Sequence, residues 1–407
     1  VIFGFLAFAL TVTVLIHFYL WRRLVRSTTR PGRARRTGGF VVLGLALLVP
    51  VTMVASRAGG TWLAWPGYLW LSVMFYLLVI FAVLELPLLV VRVWLRRRAA
   101  ATTAVDVPVL VAASGPAAPP PAPPAPPGRD HDPDRRLFLA RGAAIFAGLT
   151  ATGLTGYGVS QALGPPVLKR VRIPLAKLDP RADGLRIALV SDVHLGPILG
   201  RGHTVRIVSM INELDADLVA IVGDLVDGSV AELGPAAAPL TGLRSRYGNF
   251  FVTGNHEYFS GHQEWIEEVR RLGLRPLRNE RVEIVHRGAA LDLAGVNDVI
   301  GSEYGDAPDF ARTLDGRDPS RPVVLLAHQP VQAREAARHG VDLQLSGHTH
   351  GGQVVPFNLV VAAQQPVVAG LGTVDGLPVY VTNGVGFWGP PVRVGAPPDI
   401  TLVELGA

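Results

Sequence analysis

The side chains in this sequence best suited to chemistry are histidines and carboxylates that stand directly after apolar runs. Gly347-His348-Thr349-His350-Gly351-Gly352 carries two imidazoles at i and i+2, just past the apolar run 341–345. The flanking glycines keep side-chain bulk away from both rings. Imidazole is the commonest protein metal ligand, but two are too few for a catalytic metal site. Four earlier stretches repeat the arrangement: Asp192-Val193-His194 after 185–190, Gly223-Asp224 after 218–222, Gly254-Asn255-His256-Glu257 after 250–253, and His328 after 323–327. Each run has the length of a buried strand. In α/β sheets functional groups gather at the carboxyl ends of strands. These ends, brought to one edge, would supply two carboxylates, one amide and up to five imidazoles. Oxygen and nitrogen donors without sulfur suit Mn, Fe or Zn, with no choice among them.

Taken in order, Asp-x-His, Gly-Asp-x-x-Asp, Gly-Asn-His-Glu, a lone His and Gly-His-x-His resemble the calcineurin-like metallophosphoesterases, across residues 166–407. Gly-Asp-Leu-Val-Asp-Gly at 223–228, Gly-Asn-His-Glu-Tyr at 254–258, and a tail 383–405 with Pro-Pro-Val-Arg and Pro-Pro-Asp-Ile-Thr-Leu are similar to the membrane-anchored bacterial branch of that family. The resemblance implies a four-layer α/β/β/α sandwich, two sheets with helices outside. It implies two divalent metal ions, one held by Asp192, His194 and His350, the other by Asn255, His328 and His348. Asp224 would bridge them, because a carboxylate has the charge and the two oxygens that an imidazole lacks. Two metals about 3.5–4 Å apart neutralise a phosphate and ionise a bridging water for attack at phosphorus. His256 corresponds to the family's non-ligand histidine, expected to stabilise developing charge or protonate the leaving oxygen. Glu257 either orients a neighbour or is a surface acid, and Asp227 either supports the site from behind or is an ordinary turn acid.

Composition separates the chain into two parts. Of its 407 residues 49% are hydrophobic and none is cysteine, which excludes disulfides, thiolate zinc sites and a cysteine nucleophile. Residues 1–164 hold 16 Lys+Arg against 5 Asp+Glu, a net of +11. Residues 165–407 hold 22 against 27, a net of −5. The basic excess therefore sits in the membrane-like half, where it carries orientation. The acidic half argues against nucleic acid as a partner.

Residues 1–98 read as three transmembrane helices, over 2–20, 39–56 and 66–95, each long enough for a bilayer core of about 30 Å. Seven arginines and no acid fill 22–36, and Arg96-Arg97-Arg98 closes the third span. Trp62 and Trp65 suit an interface. His17 reads as an interfacial histidine, and Glu85 as an intramembrane acid without a recognisable partner. Residues 99–134 form an Ala/Pro-rich linker, extended and unpacked. Residues 135–164 open on Arg135-Arg136, resembling an internal twin-arginine signal, and continue as a fourth membrane helix. Either route gives the same expectation: a multi-pass protein of the cell membrane with arginine clusters in the cytoplasm and residues 165–407 outside it.

In 165–407 short β-rich runs alternate with helical patterns at 204–214, 263–272 and 331–339, as in a layered α/β domain. The late runs 377–382 and 400–404 are expected to supply a second sheet. His131, His203, His262, His286 and His339 read as solvated or packed, with His203 and His262 closest to the ligand loops. Asn297 and Asp298 are expected at the rim of the metal site. Tyr258-Phe259 and Phe387-Trp388 either seat a lipid or a base, or simply pack. The expected partners are a phosphate-ester substrate, with a lipid-linked one among the candidates, and the membrane. The main competitor is a non-catalytic membrane sensor with a structural or ligand-binding metal site. A transporter role for the first three spans is weaker, since they carry one acid and no repeat.

Overall fold

The computed structural model describes residues 2–57, 61–102 and 133–407. Most of the Ala/Pro-rich linker and His131 therefore lie outside the described residues. The chain divides into two compact units, Val1–Val51 with Trp70–Gly153, and Thr52–Leu69 with Leu154–Ala407.

The first unit is helical, and three of its helices run on past its bounds. α1 (Ile2–Leu20) runs into a π-helical stretch, Trp21–Arg26, and is followed by α2 (Arg33–Arg57), α3 (Ala64–Thr102) and α4 (Pro133–Leu163). Among the described residues three segments are long and apolar enough to cross a membrane: Arg33–Ala55, Ala64–Pro87 and Leu137–Leu163. α1 adds 19 residues of apolar sequence. The helices extend past the apolar runs into arginine-rich flanks, because arginine is a good helix former and its long stem lets the charge reach water.

Glu85 does have partners. Arg23 Nε stands 3.1 Å from its Oε1, and the Tyr19 hydroxyl donates to the same oxygen. Both come from far earlier in the sequence, so no local pattern reveals them. His17 is buried between helices. Its Nδ1 lies 2.8 Å from the Thr13 carbonyl, and its Nε2 accepts from Trp70 Nε1 at 3.1 Å. The start of α4 meets the turn between α1 and α2: Arg30 Nη2 reaches Asp134 Oδ1 at 2.6 Å, and Arg141 Nε donates to the Thr28 carbonyl at 3.0 Å.

The second unit holds twelve strands: β1 (Val167–Pro174), β2 (Arg186–Val190), β3 (Leu218–Val222), β4 (Asn249–Val252), β5 (Leu274–Pro276), β6 (Glu280–His286), β7 (Ala289–Gly295), β8 (Val323–Leu326), β9 (Leu343–Ser346), β10 (Gly370–Val374), β11 (Leu377–Val381) and β12 (Asp399–Gly406). They form two six-stranded sheets, ordered β1-β12-β2-β3-β4-β5 and β10-β11-β9-β8-β7-β6. Strands β2 to β5 are mutually parallel, as are β7, β8, β9 and β11. The expectation for 400–404 fails. That run belongs to β12, which lies in the first sheet between β1 and β2, antiparallel to β2. Only β11 of the two late runs joins the second sheet.

Strand alternation sorts the core into layers. Ile187, Leu189, Leu218, Ala220 and Val222 from the first sheet meet Val324, Leu326, Leu343 and Leu345 from the second in one buried cluster. The intervening residues Ala188, Val190, Val219 and Ile221 face outward and pack with Ile207 and Ile211 of α5 (Arg201–Glu213), Ala237 of α6 (Val230–Ala237) and Trp265 and Val269 of α8 (His262–Arg271). Val323, Leu325, Val379 and Val381 do the same on the second sheet, against Phe310 and Ala333. This is the four-layer arrangement. Burial on both faces explains why the central strands read as unbroken apolar runs.

Candidate metal centre

The polar residues that end β2, β3, β4, β8 and β9 occupy one rim of the sandwich. The chain must turn sharply there to aim side chains inward, and the backbone shows it. Asp192, His194, Asp224, His348 and His350 all have positive φ, between 47° and 71°. Non-glycine residues rarely adopt this region, and each instance costs about 1–3 kcal/mol unless its surroundings enforce it. Such concentrated strain is typical of sites kept for function.

Asp192, His194 and His350 each offer a ligand atom within 4.8 Å of the others, and all three are buried. His194 Nε2 is 3.1 Å from His350 Nε2 and 3.9 Å from Asp192 Oδ1; His350 Nε2 is 3.4 Å from the same oxygen. The other nitrogen of His194 settles its tautomer. Nδ1 donates to Asp227 Oδ1 at 2.8 Å, which leaves the Nε2 lone pair facing the cluster.

Asp224, His328 and His348 form a second group within the same limit. Nδ1 of His328 donates to the Val222 carbonyl at 2.7 Å, so its Nε2 lone pair faces Asp224 Oδ2 at 3.1 Å without a hydrogen bond. Two lone pairs at that distance repel unless a positive charge lies between them. Nδ1 of His348 and Oδ1 of Asn255 are also buried without partners. Buried polar atoms are ordinarily satisfied. Three orphaned donor atoms, from the three residues expected to hold one ion together with Asp224, fit a divalent cation. Asp224 Oδ2 is also 3.8 Å from His194 Nε2, so this carboxylate reaches both groups.

The electrostatics agree. Burial pushes Asp192 up. Burial acts on Asp224 in the same sense, but the imidazoles of His328, His256 and His194 outweigh it and hold its carboxyl well below the usual range. Burial also works against charging His328, yet Asp224 and Asp192 hold it well above the usual imidazole range. A buried concentration of carboxylate that forces cationic character on its neighbours is a site that attracts metal ions.

His256 lies beside this centre. Its peptide N–H donates to Asp224 Oδ1 at 2.9 Å and its ring Nδ1 lies 2.7 Å from Asp227 Oδ1. Asp227 thus carries both His194 and His256, and is no ordinary turn acid. Burial opposes a charged His256, but Asp224 and Asp227 overcome it and push the ring up to about 9. Glu257 is fully buried, so the surface alternative fails. Its carboxyl accepts from the backbone N–H groups of Asp224 at 3.0 Å, Leu225 at 2.7 Å and Gly254 at 2.6 Å. It ties the loop after β3 to the first turn of α7 (Asn255–Ser260). The two loops meet so closely that a Cβ on Gly254 would stand 2.5 Å from the Asp224 nitrogen.

Arg393, in the Pro-Pro-Val-Arg of the tail, is a site residue that sequence reasoning missed. It is fully buried, and its Nη2 meets His350 Nδ1 at 3.1 Å while other N–H groups donate to the carbonyls of His350, Ala396 and Gly386. Guanidinium has no acceptor, so His350 Nδ1 must accept. Burial, then Arg393 and His194, drive His350 well away from the imidazolium form. The only prior signal was the motif's place in the resemblance. Replacing Arg393 with methionine should weaken metal binding by about 10–100-fold, measured by titrating metal-depleted protein with Mn²⁺; unchanged affinity would remove Arg393 from the site.

Other expectations resolve plainly. Asp298 is buried, pushed up to about 6 by burial, and linked to Gln329 at 3.0 Å beside His328; Asn297 is buried next to it. Among the described residues His203 and His262 join no ligand group: His203 is buried in α5, and His262 packs on Tyr258. His286 meets the Tyr247 hydroxyl, and His339 meets Glu335.

Residues 185–352 match the family model for the calcineurin-like phosphoesterases, a range that contains every expected ligand and His256. A metallophosphoesterase of Helicobacter pylori is 38% identical over 279 residues, covering 68% of this chain and 74% of the relative. One from Aquifex aeolicus is 36% identical over 231 residues, covering 56% and 87%. A "transmembrane protein with metallophosphoesterase domain" from Bos taurus is 40% identical over 289 residues; the match covers 68% of this chain and 64% of that relative. With the ligand groups inside the matched region and relatives aligned over most of their own length, the chain belongs to the calcineurin-like metallophosphoesterases.

Proposed function

We propose that the chain is a membrane-anchored phosphoesterase holding two divalent cations, Mn, Fe or Zn, and hydrolysing a phosphomonoester or phosphodiester of lipid-linked or cell-envelope origin. The observation that supports this most is Asp224, one buried carboxylate within reach of both imidazole groups. Asp192, His194 and His350 would hold one cation, and Asn255, His328 and His348 the other. When bound, the pair neutralises phosphate oxygens and eases ionisation of the attacking water.

The chain's own residues do the rest. Asp227 fixes the His194 ring and, through the 2.7 Å contact, the His256 ring, leaving His256 Nε2 free to meet the leaving oxygen. Asp224 Oδ1 anchors the His256 backbone. Asp227 favours the protonated His256 ring, which gives its proton to the departing alkoxide as a general acid.

Turnover of bis(4-nitrophenyl) phosphate by the full chain should vanish on chelation and return with Mn²⁺. His256→Ala should lower it by about 10²–10⁴-fold. A sensor would be indifferent to His256, so parent-level signalling in that variant with no turnover in either protein would favour the sensor. The pH dependence has a definite sign. The pKa of His256 is raised, to about 9, so its proton is present below that pH and lost above it. Rate should therefore fall on the alkaline side, and Asp227→Asn should move that limb to lower pH by about one unit.

The contacts of Arg30 with Asp134 and of Arg141 with Thr28 support one arginine-rich membrane face shared by the α1–α2 turn and the start of α4. The positive-inside tendency makes that face cytoplasmic, and the other end of α4 then delivers the phosphoesterase domain outside. Alkaline phosphatase fused after Ala407 should be active, and fused near Pro120 inactive; the opposite pattern would reverse the orientation.

A further inference from the structure

Large apolar side chains stand exposed around the metal centre. Phe259 and Trp388 flank His256, with ring centroids 5.7 Å and 6.2 Å from it, and both are about 60% exposed. Val355, Phe357, Leu359 and Val360, just past the Gly-His-Thr-His loop, are exposed as well. The loops that carry Trp388 and Val355 are bonded to one another. Gln353 Nε2 donates to the Trp388 carbonyl at 3.0 Å, the Trp388 N–H returns to Gln353 Oε1 at 3.1 Å, and the Val355 N–H donates to Val394 at 3.0 Å. Single exposed apolar residues are ordinary, but several large ones on neighbouring loops around one site mark a surface that meets something apolar.

The last turns of α4 indicate what that is. The Arg393 N–H donates to the Gly158 carbonyl at 2.9 Å, and a Cβ on Gly158 would stand 2.9 Å from Val394. Phe387 packs with Ala162 and Leu199. Gly158 lies within the apolar segment Leu137–Leu163, whose 27 residues exceed what the hydrocarbon core needs. At about 1.5 Å per residue the segment is roughly 40 Å long against a core of about 30 Å, so its last turn reaches the headgroup layer. Phe387, next to Trp388, therefore touches the helix at Ala162, at headgroup depth, where tryptophan is enriched.

We propose that Phe259, Trp388 and the ridge Val355, Phe357, Leu359 and Val360 seat in the headgroup–acyl boundary of the bilayer that α4 crosses, so that the metal centre takes phosphate esters of membrane lipids from that surface. The substrate part rests on the phosphoesterase reading above; the membrane seat does not.

The absence of cysteine makes the test direct, since an introduced cysteine is unique. The full chain is reconstituted in phosphatidylcholine vesicles with a spin label at Leu359→Cys or at Ser320→Cys, an exposed position before β8, at the strand end opposite His328. The label at 359 should be reached by oxygen and shielded from aqueous nickel, with the reverse at 320. A label at 359 as open to nickel as that at 320, or shielded only by contact between copies and freed on dilution, overturns the seat. Leu359→Glu with Val360→Glu should cut turnover of vesicle phosphatidic acid or phosphatidylglycerol by at least about tenfold, leaving bis(4-nitrophenyl) phosphate turnover within about twofold. Soluble turnover with neither lipid hydrolysed overturns the lipid-substrate part. No soluble turnover with a lipid-shielded label sinks the phosphoesterase reading and leaves the seat standing.

Discussion

Asp224→Ala should reduce kcat/KM for bis(4-nitrophenyl) phosphate by at least about 10⁴-fold, the equivalent of about 5.5 kcal/mol of transition-state stabilisation. Asp224 reaches both ligand groups and His256. One oxygen stands 3.1 Å from His328 Nε2 and 3.8 Å from His194 Nε2, and the other accepts the His256 N–H at 2.9 Å. Alanine removes the shared ligand, the negative charge beside His256 and His328, and the anchor of the His256 backbone. Asp224→Asn separates these losses. It keeps the shape and one acceptor but not the charge, and it should retain more activity than alanine, losing about 10²–10³-fold. Steady-state kinetics at saturating Mn²⁺, on variants that keep the parent's near-ultraviolet circular dichroism, would measure both. Turnover within tenfold of the parent in Asp224→Ala would place the chemistry elsewhere.

Glu257→Ala should damage stability and activity together. It strips the acceptor from three buried backbone N–H groups, those of Asp224, Leu225 and Gly254. An orphaned buried donor costs about 1–3 kcal/mol, so a total on the order of 4 kcal/mol is expected, a large share of the 5–15 kcal/mol that typically holds a domain together. For a domain of this size that corresponds to a fall in melting temperature of roughly 8–16 °C. The surviving folded protein should also be slow, because the Asp224 loop loses its clamp. Differential scanning calorimetry of the full chain in detergent reads the first effect. A melting temperature within two degrees of the parent would mean that water replaces the carboxyl at no cost.

What the sequence discloses here follows from burial. β2, β3, β4, β8 and β9 are covered on both faces, so each is an unbroken apolar run, and its end is marked by the first polar residue. Those polar residues are the ones that fill the centre. The strand the sequence misplaces is of another kind. β12 pairs antiparallel with β2 and parallel with β1, and nothing in its own pattern says which sheet it enters. Arg393 is invisible for a related reason. Its partners are mostly carbonyls from turns at His350, Gly386 and Ala396, which have no signature in side-chain spacing. The pairing of Glu85 with Arg23 spans two helices, and the burial of Glu257 depends on the closeness of two loops; both arise only when the chain folds. Residue type could name the ligand set, but the division into two groups came only from the family resemblance.

The most direct measurement is electron paramagnetic resonance on full-length protein loaded with Mn²⁺, with the metal content of the same sample determined. Two ions per chain with the exchange-coupled spectrum of a close Mn pair, replaced in Asp224→Ala by at most an isolated-ion signal, is the expected outcome. A single uncoupled ion in the parent would contradict a shared carboxylate between two cations, and with it the chemistry built on Asp224.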